Sequence, residues 1–591
     1  MKHTRCYREN YPRPQFVKND WYDLCGKWHF VFDDNNCGEA KQYYQNFPQA
    51  QTINLPFSYQ TEASGNSDRS LHQYLWYARE AVFDVAALST NRLLLHFEGS
   101  DYITKVWVNG VFIGVNTGGY TRFSFDITSA VDKSTGKALI VVKAEDTLEA
   151  TQPRGKQSWM GSPFGCWYQE TSGIWKPVWA EFVPSTYLQS VKITPDINDY
   201  FVEFESALNQ FQEGYYLRTE ITFDGHLISD TTVKLTRRIT NFKIDITNDF
   251  TPFRVHFWSP DNPQLYDIKF TLIKNDKAEE EVGSYFGFRS FRAERDLVIL
   301  NNNPIYLRMV LFQGYHRDSG LTAPDEAALI RDIELAKALG FNGIRMHQKI
   351  EDERFYYYAD ILGMMVWVEM PSAYEFKDAT IDAIVPEWMR VVKQHYNHPS
   401  AVCWVPMNES WGIPRVAFDP TNQHLAEALY NITKAYDRHR PVVTNDGWEH
   451  VVSDLITFHN YAQSPADLAS FYDNIDWMLA GGNRVNYTQT RLPFAQGYRY
   501  QDQPIIVSEF VGTGFENGHE NKGWGYGDKV RSSEQYIERL NQLVKVVRSN
   551  ERICGFCITQ LTDVQIEING LLDIDRVPKA DIQVLKKAIT Q

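Results

Sequence analysis

The chain has 591 residues, more than a single hydrophobic core supports, so two to four domains are expected. Lys and Arg total 59 against 74 Asp and Glu, and the net charge of −15 argues against a nucleic-acid groove or an anionic membrane surface as partner. No segment reaches the roughly 18 apolar residues of a spanning helix, and the opening MKHTRCYRENYPRPQF has no apolar leader core, so a soluble chain is expected.

Cysteine stands at positions 6, 25, 37, 166, 403, 554 and 557, an odd and scattered set that predicts reduced thiols and a cytoplasmic location. Cys554 and Cys557 have C-x-x-C spacing, but they lie in the apolar run ICGFCITQL and read as buried strand residues.

From about residue 70 to 182, short alternating stretches such as YLWYAREAVF, TKVWVNGVFIGVN and ALIVVKAED are broken by turns. They predict a β-sandwich of jelly-roll type, assigned to residues 1–185. A second β segment (SVKITPDI, YYLRTEITF, YDIKFTLI) has the length of one immunoglobulin-like sandwich, 186–292. Beyond it, strand-length apolar runs alternate with amphipathic helical segments over 293–591, the pattern of a (β/α)8 TIM barrel. The eight strands are read at 305–312, 343–346, 365–369, 402–407, 441–444, 455–459, 505–508 and 553–558. An open doubly wound sheet ranks lower, because no Gly-rich phosphate loop follows any of these strands.

Active sites of such barrels lie where strands end at the C-terminal face, so the informative residues are polar ones following an apolar strand. Glu409, beside Asn408, follows AVCWVPM, and Glu509 follows PIIVS; they close the fourth and seventh predicted strands, across the barrel mouth from each other. Two facing carboxylates are what glycosidic cleavage needs: one protonates the leaving oxygen, the other attacks or stabilises the cationic carbon. A raised pKa is expected for the acid. The aromatic content of 14% suits stacking on sugar rings, although β-rich domains also use aromatics in their strands.

The string HPSAVCWVPMNESWG resembles the acid/base region of family 2 glycoside hydrolases, which include β-galactosidases, β-glucuronidases and β-mannosidases. The resemblance continues through TSGIWKPVWAEF, WSPDNPQLY, LGFNGIRMH, ADILGMMVWVEMPS and PIIVSEF, and so covers most of the chain. It implies that Glu409 is the acid/base, that Glu509 is the nucleophile and that Asn408 binds the sugar 2-hydroxyl. It also implies that Tyr461 touches the nucleophile, that His316 and Asp146 face the sugar, and that either His347 or Gln348 does so. Trp411, Trp524 and Trp159 are candidate stacking platforms.

The chain departs from the family pattern in two places. Thr559-Gln560-Leu561 replaces the usual Trp-Asn-Phe type sequence after the last strand, and Asn569-Gly570 lacks the lysine of the glucuronidase Asn-x-Lys-Gly clamp. Lys349 or the Asn521-Lys522-Gly523 triplet are the candidate replacements. The leading expectation is a retaining exo-β-glycosidase, with β-galactoside the best single sugar, no cofactor, and a small carbohydrate as partner. A β-glucuronidase, or another glycosidase of this family, is the alternative. A non-catalytic carbohydrate-binding protein and a zinc hydrolase built on His316, His347 and His459 are the readings from other classes. The oligomeric state is open, a homo-oligomer included.

Overall fold

The computed structural model describes residues 10–247, 255–482, 485–516 and 523–591. The Asn521-Lys522 part of the candidate clamp and Cys6 lie outside them. In the first unit a four-stranded sheet (Trp21–Asp23, Val178–Val183, Arg92–Phe97, Phe123–Asp126) packs on a six-stranded sheet running from Gln51–Leu55 to Val111–Thr117. Trp28, Phe30, Leu75, Leu93, Leu95, Val106 and Val142 fill the space between them. The sandwich begins earlier in the chain than the alternation after residue 70 indicates. In Gly26–Phe32 only Trp28 and Phe30 are fully buried, so its inward pattern is too short to stand out.

The second unit pairs a three-stranded sheet (Leu188–Asp196, Phe201–Leu208, Ile239–Asp245) with a four-stranded one (His226–Lys234, Tyr215–Phe223, Tyr266–Lys274, Lys277–Phe286) around Phe204, Leu217, Ile268 and Phe270. This is the immunoglobulin-like sandwich.

The third unit is the barrel. Seven parallel strands run, in spatial order, Ala401–Val405, Met365–Glu369, Gly343–Met346, Leu307–Phe312, Ile553–Thr559, Ile505–Val511 and Ile456–Asn460. The predicted fifth strand is not continuous: residues 441–446 pair with the fourth through two parallel bridges, Trp404 with Val442 and Asn408 with Asp446. That short contact is enough to place Asp446 at the rim. The strands are mostly apolar, as in Met365–Glu369 and Ala401–Val405, because helices cover them outside and side chains fill the lumen.

Helix starts follow side-chain caps: Asp325 on Glu326–Ala338, Asp352 on Glu353–Leu362, Asp419 on Pro420–Tyr436 and Ser532 on Ser533–Ser549 each accept a first-turn N–H. Asp378–His395 is a helix that carries Pro386 within it. Pro465–Tyr472 forms a helix that the sequence reading missed. Cys554 is half-buried and Cys557 buried, both on Ile553–Thr559, and no cysteine among the described residues is disulfide-bonded.

The jelly-roll unit reaches the barrel mouth through its 146–172 segment. Arg154 N–H donates to the Ser372 carbonyl, Tyr168 donates to Glu567, and Lys176 donates to the Glu351 carbonyl at 3.2 Å. Behind the mouth Arg122 bonds Glu98 at 2.7 Å and Glu353 at 3.1 Å, tying sandwich to barrel in a buried ion-pair network with His398.

Candidate active site

Glu409 and Glu509 come together at the barrel mouth, with one carboxylate oxygen of each and a ring nitrogen of His459 all within 4.8 Å of one another. Two irregularities aim them. Glu409 and Ser410 both have left-handed backbone (φ 52° and 60°), a cost that persists only where neighbours enforce it. The Glu409 N–H donates to the Asp446 carbonyl, Ser410 N–H donates to Asn445 Oδ1, and the Ser410 hydroxyl donates to Glu449 at 2.6 Å. The 441–449 segment therefore enforces the turn that carries Glu409. On the other side, the pairing of Ile505–Val511 with Ile553–Thr559 shifts register between Val507 and Phe510, and Glu509 projects from that bulge. It lies inside its strand, not after it as the sequence pattern indicates.

Arg345, from the second barrel strand and fully buried, organises the acidic groups. Its guanidinium donates to Glu509 Oε1 at 2.7 Å, to Glu369 Oε2 at 2.6 Å and to Asn408 Oδ1 at 2.7 Å, and lies 2.8 Å from Asp446 Oδ2. Tyr461 donates its phenol to Glu509 Oε2 at 2.5 Å and stacks on Tyr526 with centroids 3.6 Å apart and planes 5° off parallel. His459 Nδ1 sits 2.8 Å from Glu409 Oε1 and 3.4 Å from Glu509 Oε2, and its Nε2 sits 3.0 Å from Asp446 Oδ2.

The charges follow from these contacts. Burial would raise the Glu409 carboxyl, but the hydrogen bond and charge of His459, helped by Lys156 and His347, hold it well below the usual carboxylate range. Burial would lower His459, but Glu509, Asp446 and Glu409 raise it well above the ordinary imidazole range. Burial pushes Glu369 up to about 8, against the pull of Arg345 and with the help of the Asp446 and Glu509 charges. The expectation of a raised acid is thus reversed at Glu409 itself, because a cationic imidazole lies against it.

Of the other sequence candidates, Asn408 is buried against Arg345, and Trp411 donates its indole N–H to Glu409 Oε2 at 3.3 Å. Trp411 also packs edge-on against Trp167 and Tyr374, and Trp159 stacks on Tyr374 at 3.9 Å, which makes an aromatic wall beside Glu409. Of the His347–Gln348 pair, His347 lies nearer the carboxylates: its Nδ1 is 3.0 Å from Glu369 and 3.9 Å from Glu509, whereas Gln348 accepts from Ser372 and Tyr374. His316 is not brought to the pair; its backbone closes a turn with Gly320 and its ring faces Arg576 at 3.4 Å and Asp332 at 3.8 Å. Asp146 lies one layer back, accepting from Ser172 at 2.6 Å beside Arg154, itself tied to Ser372. Trp524 donates to the Gly165 carbonyl and packs on Tyr526.

The departures from the family pattern are filled by polar groups. Gln560 accepts from Gln313 at 2.7 Å and donates to Asn569 at 2.8 Å, and Asn569 donates to Glu567 at 2.9 Å, so both ends of the Asn569 amide are engaged. Lys349 is buried on the Gly314 carbonyl and Glu351 and cannot serve a ligand. Lys156 was missed by the sequence reading. It rises from the sandwich's 146–172 segment, lies 5.7 Å from the Trp167 ring, and is raised by Cys166, Glu567, Tyr374 and Glu409 against burial. No local signal in PRGKQSW marks it, since a loop lysine is ordinarily solvated.

Among the described residues two carboxylate–histidine groups have metal-like spacing, Glu353–His395–His398 and Glu409–His459–Glu509. In the first, Arg122 lies 3.1 Å from Glu353 and His398 bonds Glu353 and Asp360. In the second, the same atoms are engaged by Arg345, Tyr461 and Asp446. The zinc reading also needs His316, which the fold places elsewhere.

The three units match three family models: the sugar binding domain of glycosyl hydrolases family 2 over residues 22–151, glycosyl hydrolases family 2 over 186–289, and the family 2 TIM barrel domain over 291–591. The chain is similar to the β-glucuronidase of Mus musculus, 23% identical over 95% of this chain and 90% of that one. It is 22% identical to a β-galactosidase of Leuconostoc mesenteroides over 98% of this chain and 56% of that one. A Formosa agariphila relative matches 62% of this chain, which spans 43% of that protein's length. The solved structure of Ruminococcus gnavus β-glucuronidase shares the fold, with TM-score 0.78 and 18% identity over 97% and 98% of the two chains. With a sandwich, an immunoglobulin-like unit and a barrel in the family's order, each matched by a family model, this chain belongs to glycoside hydrolase family 2.

Proposed function

We propose that the protein is a retaining exo-β-glycosidase in which Glu509 attacks the anomeric carbon and Glu409 handles the leaving-group proton. The observation that carries this reading is the short gap between the two carboxylates, with oxygens within 4.8 Å. A gap wide enough for an intervening water is the mark of inversion, and a narrow one suits direct attack by a carboxylate. Arg345 and Tyr461 bond the two oxygens of Glu509 and orient it, and Asn408, fixed by Arg345, is placed for the sugar 2-hydroxyl. The free structure presents Glu409 on its one partly exposed side, next to the Trp411 wall where an aglycone would lie.

For the sugar, a neutral terminal β-galactoside is the first reading, because Asn569 bonds Gln560 and Glu567, Gly570 follows it, and Lys579, which bonds the neighbouring Ile568 carbonyl, is paired with Asp563. A β-glucuronide is the second, favoured by Lys156, whose charge acts on Glu409, and by relatives named β-glucuronidase. Aryl β-galactosides and β-glucuronides compared on the parent and on Lys156→Met separate the two: selective loss on glucuronides supports the second. Replacing Glu509 by Ala is expected to lower kcat/KM by more than about a thousandfold on the accepted glycoside. Hydrolysis near the parent rate would remove the nucleophile assignment.

A further inference from the structure

We propose that His459 is the proton partner of Glu409, holding in the free enzyme the proton that Glu409 later delivers to the glycosidic oxygen. The proposal rests on the glycosidase reading above, but concerns a residue to which that reading gives no role. Both ring nitrogens of His459 face carboxylates, Nδ1 toward Glu409 and Glu509, Nε2 toward Asp446. A neutral imidazole has one N–H and would turn a lone pair on one of these anions; the doubly protonated ring satisfies both sides. The ring is fully buried with Trp448 edge-on at 5.4 Å, so water cannot take over either contact.

The charged groups around His459 come from every wall of the pocket. They are Glu409 after the fourth strand, Asp446 on the 441–446 segment, Glu509 on the seventh strand and Arg345 on the second, with Lys156 and His347 acting on Glu409 from further out. His450 lies nearby, lowered to about 4 by burial against the help of its Thr457 contact, and so neutral. Three carboxylates face His459 directly, and Arg345 attends two of them, Glu509 and Asp446. Glu409 is thus the carboxylate for which His459 is the bonded cation.

A leaving group docked against Glu409 displaces water from its partly exposed side, and an ionised carboxylate then loses solvation. The Nδ1–H bond breaks as Oε1–H forms, leaving a neutral imidazole and a neutral carboxylic acid. The Oε1–H bond then breaks as the proton joins the glycosidic oxygen; the C1–O electron pair stays on that oxygen, and C1 bonds to Glu509. In the second half, Glu409 takes a proton from the attacking water, the hydroxide oxygen bonds C1 as the Glu509 ester bond breaks, and the proton returns to Nδ1. Asp446, fixed by Arg345, keeps the ring oriented throughout.

The test uses the full chain with aryl glycosides of the accepted sugar that differ in leaving-group acidity. His459→Gln is expected to lower kcat/KM about a hundredfold or more on an unactivated phenyl glycoside and less than about threefold on a dinitrophenyl glycoside, since general acid catalysis contributes roughly 10²–10⁴-fold. Equal losses on both substrates would overturn the proposal, showing a purely structural role for the ring, and so would no loss. Nitrogen-15 NMR of histidine-labelled enzyme at neutral pH reads the ring directly, with His459→Gln assigning its signals. Two imidazolium-type N–H resonances that vanish on substitution support the assignment, and a neutral His459 overturns it. If Glu409→Ala shows the leaving-group pattern while His459→Gln does not, the glycosidase reading stands and this inference alone fails.

Discussion

Replacing Tyr461 by Phe removes one oxygen and leaves the ring stacked on Tyr526 in place. That oxygen donates to Glu509 at 2.5 Å and contacts Thr559 Oγ1 at 3.0 Å, in a site where neither partner is open to water. A hydrogen bond to a charged group contributes about 1.5–3 kcal/mol, and at 1.36 kcal/mol per decade this is about ten- to hundredfold in rate. The direction follows from the acceptor. In the proposed double displacement the phenol stabilises the carboxylate over its ester, so its loss would make Glu509 a poorer leaving group in the second half-reaction, while the first half-reaction would be partly offset by a more basic nucleophile. With an activated aryl glycoside, kcat is therefore expected to fall by about ten- to hundredfold, with a smaller drop in kcat/KM, a lower KM and a pre-steady-state burst of phenol equal to the enzyme concentration. Stopped-flow release of the phenol measures all of these. Parallel losses in kcat and kcat/KM, with no burst, would refute the reasoning, because they would mean that the phenol stabilises attack and departure equally.

Arg345→Met leaves Glu509, Glu369 and Asp446 without their shared cation in a fully buried place. Breaking such a pair costs about 3–5 kcal/mol, so the barrel's apparent unfolding temperature is expected to drop by roughly 5–8 °C; a calorimetric scan superimposing on the parent would contradict the assigned network. His398 carries a pH signature. Burial lowers it, but Asp360 and Glu353 raise it overall to about 9, above its unfolded value of 6.5. Its contribution is thus fully present below about pH 6.5 and lost as pH rises through 9. His398→Gln is accordingly expected to destabilise more at pH 6 than at pH 9.5 in thermal unfolding, and an equal effect at both would place the stabilisation elsewhere.

The order of the three units was readable in the sequence because side-chain alternation and helical periodicity are local properties, repeated often enough over 591 residues to mark each layer. Glu409 and Glu509 were readable for a related reason: each sits at or near the end of an apolar strand, which a barrel turns into a position on its rim, whereas Asn408 and Tyr461 were singled out by the family resemblance. His316 shows the limit of that rule, since it too follows a strand, yet the turn closed by its backbone sends the ring to Asp332 and Arg576.

What the tertiary structure decided is the company each group keeps. Lys156 comes from a sandwich loop, Asp446 from a segment too short to pattern as a strand, and Arg345 from a strand where an arginine would ordinarily count against burial. Closing the barrel brings Arg345 within 2.8 Å of Asp446 and sets the Lys156 charge to act on Glu409, and Coulomb interactions and burial, not residue type, set the charge of each group. The sequence therefore named two glutamates and a fold to hold them, while the charge on Glu409 depends on an imidazole fifty positions along the chain, which becomes its neighbour when the sheet curls.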